Sequence, residues 1–174
     1  MDKNTLALFA KYNKTVNENL NGIIKSLSPE EWEKNLGGYF RSVRGLCSHL
    51  YICDFNWLKR YSTLRDFAVF REALFARESY SFKDELFKDM GEYLTMRPQL
   101  DGKIIAFANE ITDVDINSLL KYIDSHGTPH ELNFGGLVLH SFNHDTHHRG
   151  VISVYLEMLG YENDFASLSA ALEE

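Results

Sequence analysis

Residues 140–150, HSFNHDTHHRG, hold four of the chain's seven histidines. Imidazole titrates close to neutral pH and, when neutral, is the commonest side-chain ligand for transition metals. His140, His144 and His148 recur every fourth residue, so on a helix each stands one turn beyond the last. Leu137, Val151, Tyr155 and Leu159 continue the series. The pattern predicts a core-facing stripe, with Phe142, Thr146, Arg149, Ser153 and Glu157 away from its centre. An unpaired polar group in a core costs about 1–3 kcal/mol, and one metal ion satisfies several imidazoles at once. His140 and His148 stand about 12 Å apart along a helix axis, whereas zinc–nitrogen bonds are about 2.0–2.1 Å. One ion therefore takes two neighbours from this segment and needs a further ligand from elsewhere.

His49 is the candidate for that ligand. It lies in a second helical stretch with Leu46, Leu50, Cys53 and Trp57 on its face, so it points inward. Alone it would be read as a hydrogen-bonded core histidine; beside an inward pair on another helix it reads as a ligand. Gly45, one turn earlier, costs a helix about 1 kcal/mol. It either leaves room for a substrate above an ion or lets two segments pack closely. Cys53, one turn after His49, is a further soft donor. The segment also fits the H-x-x-x-H frame of zinc proteases, with Asp145 in place of their Glu. Asp is one methylene shorter and no third ligand is well specified downstream, so that reading is set aside. His147 and Arg149 are expected at the edge or outside of the helix, and His126 and His130 in solvent.

Four long helices must position these groups. The first is predicted over residues 5–26, with Leu6, Phe9, Ala10, Asn13, Val16 and Leu20 on one stripe. Ser28-Pro29-Glu30-Glu31 reads as a cap, a proline in the first turn and well-placed acids, opening a short helix that Gly37-Gly38 ends. The second long helix is predicted over 42–61, and residues 63–80 read as loop with one or two helical turns. The third is predicted over 81–109, kinked or broken at Pro98. Between 112 and 134 the pattern allows a β-hairpin turning at Ser125-His126-Gly127. The fourth helix opens at Phe134 or Gly135 and stops at Gly160. The expected architecture is all-α: a four-helix bundle in one domain over residues 1–174, with a short hairpin between helices three and four.

Composition removes several classes. A net charge of −7 with no basic cluster argues against nucleic acid as a partner. Nothing approaches 18 consecutive apolar residues, so no membrane span is predicted. The start has no secretory pattern. Cys47 and Cys53 stand about 240° apart around a helix, unsuited to pairing. They read as reduced thiols in a cytoplasmic protein.

GGYFRSVRGLCSHLYICDFNWL (residues 37–58) and HSFNHDTHHRG together resemble the DinB/YfiT-like superfamily of small metal-binding four-helix bundles. YNKTVNENL in the first helix resembles the family's start, so the likeness spans most of the chain. The resemblance implies a divalent ion, zinc or nickel, bound by His49, His144 and His148. It also implies thiol-dependent transferase or isomerase chemistry on a small molecule. In some relatives a low-molecular-weight thiol such as bacillithiol or mycothiol is the cosubstrate. A homodimer is compatible with it. The family commonly continues His-Arg-Gly with Gln where this chain has Val151, which puts the transfer of any particular activity in question.

Three neutral imidazoles leave an ion an open position, as in catalytic rather than structural zinc sites. Such an ion could activate a thiol, the favoured expectation, or a water, which would make the protein a hydrolase. Arg41 or Arg149 could hold a substrate carboxylate, or form salt bridges. Tyr39, Phe40 and Trp57 could line a pocket mouth, and His140 could hydrogen-bond near the ion. The competing class is a metal-binding structural or sensor protein without catalysis.

Overall fold

The computed structural model describes residues 1–165 and 168–172 of the chain. The expected domain over 1–174 includes residues 166, 167, 173 and 174, which lie outside the described residues. Four long helices form the body: α1 (Lys3–Ile24), α3 (Val43–Tyr61), α4 (Met90–Glu110) and α6 (Phe134–Met158). Between them lie the short helices α2 (Pro29–Glu33) and α5 (Asp113–Ile116), and the strands β1 (Leu119–Ile123) and β2 (Pro129–Asn133). α1 and α3 each pack against both α4 and α6, closing a ring of four around the core. Among the described residues no helix is long and apolar enough to cross a membrane.

Local chemistry sets the ends. Asp2 caps α1 and Ser42 caps α3, each accepting from the amide three residues on. Ser28 and Glu31 form the reciprocal capping box that opens α2. Gly160 adopts φ +92° just beyond α6, the left-handed conformation of a helix-ending glycine. The hairpin is antiparallel, with Leu119 opposite Asn133 and Ile123 opposite Pro129. Asp124 accepts from the amides of His126 and Thr128, both at 2.9 Å, which folds the turn around Gly127. Two 3₁₀ turns, Ala68–Arg71 and Ala73–Ala76, occupy the stretch read as loop with helical turns.

The third long helix departs from expectation twice. It begins at Met90 rather than Ser81, because Asp89 caps it and Phe87 turns the chain at φ +67°. It also runs through Pro98 without a break. A proline removes one amide donor, and packing of the flanking turns holds the helix across that gap.

Candidate metal centre

The site forms where α3 lies along α6. His49 on α3 and His144 on α6 bring their Nε2 atoms within 3.2 Å of each other. Cys53 Sγ, one turn along α3, is 3.5 Å from His49 Nε2. One donor atom each from His49, Cys53 and His144 lies within 4.8 Å of the others. The ring of His148 is 4.6 Å from that of His49 and 4.4 Å from that of His144, centroid to centroid.

Those distances test the donor set. Two nitrogens bound to one tetrahedral zinc at about 2.05 Å stand about 3.3 Å apart, and a nitrogen and a thiolate about 3.6 Å apart. The His49–His144 and His49–Cys53 spacings match two such edges. His148 Nδ1 is buried without a hydrogen-bond partner, as is Asp145 Oδ1. Orphaned polar atoms beside converging imidazoles fit a site that takes an ion.

The protonation states agree. Burial, then the neighbouring His144, pushes His49 down to about 4. Burial and the same imidazole cluster push His148 down to about 4. Both rings are therefore neutral at pH 7, the form that ligates. Burial raises the Cys53 thiol, so without a cation it keeps its proton; a bound metal would favour the thiolate.

A loop covers the histidines. Gly37, Gly38 and Arg41 all have positive φ, and the loop they bend carries Phe40 across the site. Its ring lies 4.3 Å from His49 and 5.3 Å from His148. Tyr155 of α6 ties the loop down by donating to the Gly37 carbonyl. Gly45 has its explanation here. A Cβ at this position would fall inside contact distance of the Phe40 carbonyl oxygen, so the glycine serves close packing and opens no space above an ion. Phe40 also lines a cleft of about 280 Å³, together with Glu33, Arg41, Ser42, Arg44, Gly45 and Glu85, among others.

Several expected placements need correction. The most buried track of α6 runs through Val138, Phe142, Asp145, Arg149, Ile152 and Leu156, not through the three histidines. Positions spaced strictly by four drift about 40° per step around a 3.6-residue helix. His140 is accordingly exposed, His144 intermediate and His148 buried. Arg149, expected at the edge, is 2% exposed and donates to Asn13 of α1, with Thr146 Oγ1 at 3.4 Å. Its guanidinium is engaged in the core and is no free receptor for a substrate carboxylate. His140 packs edge-on to Trp57 at 5.7 Å, and Trp57 stacks on Tyr61 at 5.6 Å. Tyr39 is 91% exposed, so Phe40 alone of the expected aromatics covers the centre. His130, expected in solvent, is half-buried with Nε2 3.0 Å from Asp124. Asp145 is 2% exposed and sits at the Nδ1 side of His144, so it does not stand where a protease base would.

Residues 1–171 match the model of the DinB family. The chain belongs to the DinB family. It is also similar to Protein DinB of Bacillus subtilis (strain 168), at 26% identity over 153 residues, covering 87% of this chain and 84% of that one. The all-α bundle with its short hairpin is thus the family's fold. Asp54, Arg97 and Asp101 are buried groups that reading by residue type missed, and Asp145, weighed only as a protease base, is buried as well. Their signal was available: Asp145 and Arg149 fall on the 3–4 alternation of Phe142, Ile152 and Leu156, and Asp54 and Arg97 fall within core-forming helices.

Proposed function

We propose that this DinB-family chain is a metal-dependent enzyme that transfers a group between a small thiol and a small electrophilic molecule. His49, His144 and His148 are the proposed ligands. The observation that carries the reading is the 3.2 Å convergence of two imidazoles from different helices, with a third ring packed on both. Zinc or nickel suits this donor set, because imidazole binds both. A divalent ion here would supply Lewis acidity, making a thiol a competent nucleophile at neutral pH. In such a transfer the sulfur forms a bond to the electrophilic carbon, the leaving group departs with its electron pair, and the thiol proton passes to solvent.

The chain's own residues would do the rest. Phe40 keeps water from one side of the imidazoles. The cleft that Phe40 lines is also bordered by Arg41, which is exposed and has no ion pair among the described residues. Arg41 is the proposed receptor for a carboxylate on substrate or thiol. A second ligand set, His49, Cys53 and His144, is favoured by the 3.5 Å sulfur–nitrogen spacing. Residence in the cytoplasm follows from the same reading, since reduced Cys47 and Cys53 suit a reducing compartment.

Metal content by mass spectrometry on untagged protein is the test. About one equivalent in wild type, lost in both His49→Ala and His144→Ala, supports the centre. Loss in His148→Ala but not in Cys53→Ser supports the three-histidine set, and the reverse supports the cysteine set. Turnover of an electrophile only when thiol is present then separates transfer from hydrolysis. Wild type that takes up no zinc or nickel on reconstitution overturns the reading.

A further inference from the structure

Asp145 lies in the core with its charge incompletely matched. It is 2% exposed, and its Oδ1 has no hydrogen bond. The nearest ring nitrogen is His144 Nδ1 at 3.8 Å, an ion-pair distance rather than a hydrogen bond. The other nitrogen of that ring, Nε2, is directed at His49, 3.2 Å away. The imidazole therefore spans the gap between a buried carboxylate and the ligand cluster.

The groups around Asp145 come from three helices. His144 and Arg149 are on α6, Asp54 is on α3 and Arg97 is on α4. The array continues through Arg97 Nη1 to Asp54 at 2.6 Å, Arg97 Nη2 to Asp101 at 2.6 Å, and Asn17 Nδ2 to Asp101 at 2.8 Å. Asp54 Oδ2 and Asp101 Oδ1 are satisfied in this way, while Asp101 Oδ2 has no hydrogen bond. Asp145 Oδ1 also has none, and it is the atom beside His144.

We propose that Asp145 is the positioning residue of the centre: its carboxylate, 3.8 Å from His144 Nδ1, favours the proton on that nitrogen and so fixes the tautomer whose Nε2 lone pair faces His49. A neutral imidazole carries one proton, and the group that accepts it decides which nitrogen can ligate. The same contact locks the ring's rotation about its side chain. The inference deepens the metal reading and rests on it for its consequence, although the tautomer itself can be observed without metal.

Two measurements on the full chain test it. Long-range ¹H–¹⁵N correlation of metal-free, ¹⁵N-labelled wild type at neutral pH reports the His144 tautomer. Chelator competition with zinc reports affinity for wild type, Asp145→Asn and Asp101→Asn. The expected result is a proton on Nδ1 in wild type and a mixed tautomer in Asp145→Asn, with zinc bound about 10-fold more weakly or worse. Asp101→Asn, which removes a charge from the same buried array without touching His144, should keep wild-type tautomer and affinity. A wild-type proton on Nε2 overturns the proposal, and that result needs no variant to fold. Equal loss of affinity in the two variants overturns it as well, because the effect would then belong to the array. A tautomer that follows Asp145 in a protein that binds no zinc supports the positioning and removes the metal reading alone.

Discussion

At the scale of single residues, Gly45 is explained by its neighbour Phe40 rather than by its place in a helix. A glycine inside a helix is legible as an anomaly. Whether it makes room or permits contact is decided by Phe40, whose carbonyl fills the place of the missing Cβ. Gly45→Ala gains about 1 kcal/mol of helix propensity. The backbone clash should outweigh it, with a net loss of about 1–3 kcal/mol in denaturant unfolding. A neutral or stabilised variant would show that the loop gives way. An inward His49 and two neighbours from the series His140, His144 and His148 were legible from type and spacing, and the choice of His144 and His148 came with the family resemblance. The buried acids beside them were legible only as positions on core-forming helices, because part of what pairs them comes from other helices. Asp54 and Arg97, for example, are 43 residues apart in sequence.

At the scale of elements, helix ends were read well wherever a cap residue marks them, as at Ser28, Ser42 and Gly160. The third long helix was misplaced at its start because Phe82 and Leu86 mimic helical spacing. They belong instead to a loop that Phe87 turns sharply before Asp89 caps the helix. The short helix α5 is held by a clamp that the sequence does not advertise. Asp115 completes a capping box with Thr112 and accepts from Arg65 Nε at 2.8 Å and Nη2 at 2.9 Å. The hydrogen bonds from Arg65 hold the Asp115 carboxyl below its ordinary value of 3.8. A depressed folded value means that the clamp's ionic contribution is present above the unfolded value and is lost as pH falls through the folded one. Asp115→Asn should therefore melt lower than wild type at pH 6, by about 1 kcal/mol in stability. The gap should narrow below about pH 4. Melting curves recorded at several pH values check this, and a gap that widens in acid would sink it.

At the scale of the whole molecule, the bundle closes around charge as well as apolar surface. Arg97 is 2% exposed and pairs with Asp54 of α3 and Asp101 of its own helix, while Asn17 of α1 joins through Asp101. Breaking such a pair leaves an uncompensated charge, which costs about 3–5 kcal/mol. Arg97→Met should lose that much in equilibrium unfolding, whereas a variant with all three charges replaced by apolar residues should recover most of it. If Arg97→Met is no less stable than wild type, the array is not what holds these helices in register. The two nitrogens that meet at 3.2 Å belong to residues 95 positions apart. An ion shared between them would tie the chain into a loop spanning more than half its length, drawing its binding energy from the folded form alone. At a free concentration 100 times its dissociation constant, such an ion would add about 2.7 kcal/mol to stability. Chelation should then lower the melting temperature of wild type and leave His144→Ala unmoved. Inside a cell, the amount of this protein that survives proteolysis would track the supply of the metal.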